Sequence, residues 1–296
     1  MIDIPLYMVL PLVAAVMYAY GSLYFKEGFE HGITVIHTFV VTNWVMAGVF
    51  VPLLLLEAPN SSLLSHLKPL ISALSFVVGN LLTFRAIRSG DMSIVVPVMG
   101  TKAFFVALSA SVFFGKTITT GMWIAAVLAA IGIYVLGRSD RGKGLSPGVV
   151  LTILSSACFG LCDASVQAWA PDYGSKSFMG MTFLFIGLLS IPFLKLADHP
   201  LKEADRVGMR ALVIGATIIA LQGTLVAISV VSFDNATGVN VVYTTRGLWS
   251  VILVWWIGHR FRSQEHKQDR KVFLARLSGA TVMLAAVAIA LWESQE

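Results

Sequence analysis

Ten stretches of this chain are each long and apolar enough to cross a bilayer, and that feature restricts the possible folds more than any other. A helix needs about 20 apolar residues to span the hydrocarbon layer. The runs cover 4–24, 33–56, 68–87, 92–114, 118–137, 147–169, 178–197, 208–231, 237–258 and 272–292. Each is apolar throughout rather than alternating, so spanning helices are expected and a β-barrel is not. The connections are short, which leaves no room for an extramembrane domain. The first run has no Lys or Arg before it, and its length and flanks do not suit a cleaved signal peptide. Composition agrees: 57% of the 296 residues are hydrophobic and 12% are charged, with a mean hydropathy of +0.81. Those values exclude an ordinary soluble enzyme, a disordered chain and a nucleic-acid binder.

The 21 basic residues are distributed unevenly. Sixteen lie in or beside the connections after the first, third, fifth, seventh and ninth runs, from Lys26 to Arg276. The opposite connections hold only Lys68, Lys116 and Lys176. The positive-inside rule then puts both termini outside and the link between the fifth and sixth runs in the cytoplasm. The expected location is a plasma membrane, of the bacterial inner-membrane kind. The remaining two cations, Lys102 and Arg246, fall inside runs.

The chain divides at Arg138–Ser146, RSDRGKGLS, into a first repeat at 1–137 and a second at 147–296. The halves echo each other at an offset of 141–144. Val96-Pro97-Val98-Met99-Gly100-Thr101-Lys102 lies over Asn240-Val241-Val242-Tyr243-Thr244-Thr245-Arg246, and Asn80 lies near Gln222. Tyr18 and Lys26 lie over Phe159 and Gln167. Five spans per half is an odd number, so the second half enters the membrane inverted. The expected fold is therefore an all-α integral membrane protein with ten transmembrane helices in two inverted five-helix repeats. Secondary transporters are built this way, with their sites at the midplane between halves.

The stretch Ser89–Arg138, SGDMSIVVPVMGTKAFFVALSASVFFGKTITTGMWIAAVLAAIGIYVLGR, resembles the EamA-type drug/metabolite transporters. The similar features are small residues after Ala86-Ile87, a central Pro97, a Phe-Phe-Gly turn, a Thr-rich entry to the fifth run and a closing Gly132-Ile133-Tyr134-Val135-Leu136-Gly137. The resemblance implies that four helices of each half surround a central cavity, with the fifth and tenth peripheral. Lys116 and His259 stand where the family usually has Glu, and Val241 stands where a second proline is expected. The first run has no acid beyond Asp3, so the proton-coupled drug export of the small multidrug relatives is not implied.

Lys102 is eleventh in its run and Arg246 tenth in its own, both too deep to snorkel to the interface. Each costs about 2.5–3.5 kcal/mol at that depth. Asp163 is the one clear acid within a run, and one carboxylate cannot neutralise two cations. An excess positive charge at the midplane favours a wet cavity and an anionic or zwitterionic ligand. Asp163 then pairs with a cation, carries a proton, or both. On the ninth run Tyr243 and Trp249 lie three residues either side of Arg246 and share its face. An aromatic and guanidinium face suits a carboxylate or phosphate on an organic body. Asn80 and Gln222 either line the cavity or bond between helices. The candidate substrate site is thus Lys102, Arg246, Asn80, Gln222, Tyr243, Trp249 and Asp163, with Tyr18, His37 and Asn43 as weaker members.

No HExxH, GxSxG or phosphate-loop motif occurs, so neither an enzyme nor direct use of ATP is expected. No metal or cofactor is called for. The partners expected are a small-molecule substrate, the lipid bilayer and a coupling proton or sodium ion, in a monomer or homodimer. The function these features point to is secondary active transport of a small polar metabolite, such as an amino acid, organic acid or phosphorylated compound. The alternatives are a non-transporting accessory or sensor protein on a transporter fold, and an exporter of neutral or cationic compounds.

Overall fold

The computed structural model describes residues 6–57, 63–90, 92–137, 147–197, 200, 201 and 204–261, with isolated positions of the tenth run at 278, 279, 281, 282, 285, 286 and 289. Among the described residues there is no strand. The helices are α1 Leu6–Glu30, α2 Val35–Phe50, α3 Leu67–Ser89, α4 Met92–Val98, α5 Lys102–Phe114, α6 Thr120–Gly137, α7 Pro147–Tyr173, α8 Ser175–Ser190, α9 Arg206–Phe233, α10 Ala236–Tyr243 and α11 Arg246–Ile257. Among them are eight spans long and apolar enough for a membrane, counting α4 with α5 and α10 with α11 as one each. The fifth run forms α6. The described positions of the tenth run are helical, and the rest of that run and the link 138–146 lie outside the described residues.

The fourth and ninth runs are not continuous α-helices. A 3₁₀ turn at Met99–Thr101 separates α4 from α5, and a tight turn at Thr244-Thr245 separates α10 from α11. The causes are local. In the first half Pro97 lacks an amide proton, and Thr101 Oγ1 bonds back to the Val98 carbonyl at 2.9 Å. In the second half Thr244 and Thr245 bond back to the Val241 and Val242 carbonyls at 2.6 and 2.9 Å. The threonine pair therefore makes the turn without the proline that Val241 replaces. Lys102 and Arg246 open the helices that follow the two turns.

Packing partners are exchanged between the halves. The helix α1 lies along α9 while α3 lies along α7; α5 packs on α7 while α11 packs on α1; α4 meets α11 and α10 meets α5; α2 faces α8. Lys26 Nζ reaches the Gly90 carbonyl at 3.3 Å, and Gln167 Nε2 reaches the Asp234 carbonyl at 2.5 Å, so residues aligned in sequence tie down the entrances of α4 and α10. Large apolar side chains such as Leu154, Val213, Ile228, Trp255 and Trp256 point outward, as lipid contact requires.

Inside, small and hydroxyl residues let the helices approach. Ser72 meets Ser165 at 2.6 Å, and Thr83 meets Ser155 at 2.6 Å across α3 and α7. A close approach to backbone occurs at Gly160 on α7, where a Cβ would lie 2.7 Å from Phe105 Cβ and 2.8 Å from the Phe105 carbonyl carbon. Backbone cannot swing aside as a side-chain tip can. We expect Gly160→Ala to destabilise the protein by about 1–3 kcal/mol, the usual cost of overpacking. Gly48→Ala, which meets nothing within 4 Å, is the control. Equal unfolding temperatures for the two variants would contradict this account.

Candidate functional site

A cavity lies among α1, α2, α3, α7, α8 and α9, and the two broken helices contribute Met99, Lys102, Tyr243 and Arg246 to its lining. It offers about 110 Å³ to the centres of water-sized molecules. One water needs roughly 10–15 Å³ on that measure, so there is room for a small metabolite. Tyr18, Asn80, Lys102, Asp163, Gln222, Tyr243 and Arg246 line it. The rest of the wall is apolar, including Met46, Phe76, Phe159, Met179, Phe183 and Val226.

The two cations are handled differently. Lys102 Nζ lies 2.7 Å from Asp163 Oδ2, with side-chain exposures of 9% and 16%. Asn240 Nδ2 donates to the same carboxylate oxygen at 2.7 Å and to the Ala236 carbonyl at 2.9 Å. The ammonium also lies 5.6 Å from the Phe159 ring and 5.9 Å from the Tyr243 ring. Arg246, 3% exposed, has no carboxylate within ion-pair reach among the described residues. Its Nη2 donates to the Met99 carbonyl at 2.7 Å, at the turn of the other half. Its Nε has no hydrogen-bond partner. The guanidinium sits 4.9 Å from the Tyr18 ring and 4.2 Å from the Tyr243 ring, held by cation–π attraction.

The neutral polar groups mostly hold one another. Tyr243 donates its hydroxyl to Gln222 Oε1 at 2.7 Å, and Gln222 Nε2 donates to the Ile219 carbonyl at 3.0 Å. Asn80 donates to Asn43 Oδ1 at 2.5 Å, and Asn43 to Ser190 Oγ at 2.7 Å, a relay across α3, α2 and α8. Tyr18 donates to Met99 Sδ at 3.0 Å.

Six of the seven candidate residues therefore come together around one cavity, and Tyr18 joins them. Trp249 does not line it; its indole packs in the core, and Nε1 has no hydrogen-bond partner. His37 and Asn43 also lie outside the lining. Sequence reasoning missed Asn240, which fixes the Asp163 carboxylate, and Phe159, which faces Lys102. Both stood in the repeat alignment, where Phe159 is the counterpart of Tyr18, so the matched rings were the available signal.

Residues 5–138 match the EamA-like transporter family. An uncharacterized transporter of Archaeoglobus fulgidus is 25% identical over 191 residues, covering 64% of this chain and 68% of the relative. An uncharacterized protein of Methanocaldococcus jannaschii is 34% identical over 137 residues, covering 45% of this chain and 96% of the relative. The fold is shared with a protein of known crystal structure at a TM-score of 0.66 and 12% identity, covering 96% of this chain and 95% of that one. Apolar spanning helices, a cavity between them lined by three charged side chains and these likenesses converge: the chain is an integral membrane protein and belongs to the EamA-like transporter family.

Proposed function

We propose that this protein is a secondary transporter that moves a small anionic or zwitterionic metabolite by alternating access. The observation that carries the reading is Arg246: a buried guanidinium lining the cavity, with no carboxylate partner among the described residues and no hydrogen bond at Nε. A charge in that position is costly unless something compensates it. A ligand carboxylate or phosphate fits the guanidinium fork. The exchanged packing of the two halves supports two inverted repeats, 1–137 and 147–296, that rock about the cavity. In this reading both termini lie outside a plasma membrane, and a proton, a sodium ion or a second solute supplies the driving force.

The test is a ligand screen on detergent-purified protein. The library holds amino acids, organic acids, sugar phosphates, neutral sugars and organic cations. A true ligand at a hundred times its dissociation constant adds about 2.7 kcal/mol of apparent stability. Acids or zwitterions are expected to raise the unfolding temperature, and the best of them to enter sealed vesicles that contain the protein. Stabilisation by cations or neutral sugars alone would reverse the charge assignment. Binding without movement across the vesicle would identify a sensor instead.

A further inference from the structure

The cavity holds three charged side chains and a net charge of one. Lys102 and Asp163 cancel at 2.7 Å, and Asn240 pins the carboxylate oxygen they share. Arg246 is left over, with Nε unpartnered and its guanidinium 4.9 and 4.2 Å from the Tyr18 and Tyr243 rings. The remaining wall is aromatic and aliphatic, with Phe76, Phe159, Phe183, Met46 and Met179 prominent.

Charge matching then limits the ligand. One with two negative charges must keep one of them unpaired at low dielectric. Otherwise it must pull Lys102 away and leave Asp163 bare. Either arrangement strands a desolvated charge. A zwitterion adds no net charge and leaves the site one positive charge in excess, because its ammonium must share the Asp163 carboxylate with Lys102. A single negative charge on an apolar body meets neither obstacle, and the body finds rings to lie against.

We infer that the substrate is an organic monoanion with an apolar body of aromatic size, and that Asp163 sets this charge selectivity by occupying Lys102. This rests on the anion-site reading above and deepens it, fixing the number of charges and the character of the body. The carboxylate meets Arg246, and the body lies along Phe76, Phe159 and Phe183. Asp163 is a selectivity residue rather than a contact for the ligand.

Three probes with the same benzyl body test it: phenylacetate with one negative charge, benzylmalonate with two, and phenylalanine as the zwitterion. Thermal stabilisation of purified protein is titrated at pH 7.5 with each. Wild type is expected to prefer phenylacetate over both others by about tenfold or more, the size of one unmatched charge in a partly screened site. Asp163→Asn keeps a side chain for Asn240 and frees Lys102, and it is expected to gain about tenfold for benzylmalonate relative to phenylacetate. Asp163→Ser is the second neutral variant should the asparagine form fail to fold. Benzylmalonate or phenylalanine binding wild type as well as phenylacetate would overturn the inference and leave the anion site standing. So would an unchanged preference in the Asp163 variants. Silence of every protein to all three probes would overturn the inference, and silence of wild type to every acid of the wider screen would remove the anion-site reading as well.

Discussion

Arg246→Gln will abolish most anion binding without unfolding the protein. The guanidinium is the one midplane cation that no carboxylate neutralises among the described residues. Truncating a desolvated charge partner costs about 2–5 kcal/mol of binding, so the apparent affinity for an acidic ligand should fall by about a hundredfold or more. Ligand-free stability should change little, because the variant gives up the bond to the Met99 carbonyl and the cation–π contacts with Tyr18 and Tyr243 but also removes a buried charge that no carboxylate neutralises. Arg246→Lys should recover only part of the affinity. An ammonium lacks the planar, delocalised face that the guanidinium presents to the Tyr18 and Tyr243 rings. The measurement is the ligand-dependent shift in unfolding temperature, with the ligand-free temperature as the control. A structural arginine would do the reverse: lower the ligand-free temperature and leave the ligand shift intact.

Lys102→Met should be the most destabilising single change at the site. It leaves Asp163 held by Asn240 alone, a carboxylate in a mostly apolar wall. Removing one partner of a buried ion pair costs about 3–5 kcal/mol, much of it from the stranded charge. The double variant Lys102→Met, Asp163→Asn should recover most of that loss, because it deletes both charges together. Single and double variants form a cycle whose non-additivity reads the pairing directly. If the double variant is as unstable as the sum of the two single changes, the pair is not the unit described here.

The spans were legible in the sequence because membrane insertion writes itself as length and hydropathy, and no tertiary detail is needed to read it. Lys102 and Arg246 were legible for the same reason, since each breaks a run that is otherwise apolar. Pro97 marked a kink in the fourth run, but the turn chemistry of the two breaks was not legible, because Thr101, Thr244 and Thr245 are common residues in spanning helices. Only their side-chain bonds to carbonyls three residues back tighten the turn. That turn also explains the divergent fates of Tyr243 and Trp249. In 3₁₀ geometry residues three apart eclipse one another, so Tyr243 stays under Arg246. Beyond Arg246 the chain is α-helical, and three residues fall about 60° short of a full turn. Trp249 is carried off the cavity and into the core. Asn240 was hidden for a simpler reason: its partner Asp163 is 77 residues away in the chain.

The leftover charge on Arg246 has an electrical consequence. In the proposed cycle a monoanionic ligand makes the cavity neutral, and the empty cavity carries one positive charge. A membrane potential would then act on the empty site, through the part of the field its charge crosses, and not on the loaded one. A whole elementary charge crossing the field is worth about 2.3 kcal/mol per 100 mV. In the proposed cycle, voltage biases the return of the vacant carrier and leaves the substrate-carrying step alone. The interior-negative potential of an energised cell would hold the empty cavity turned toward the cytoplasm.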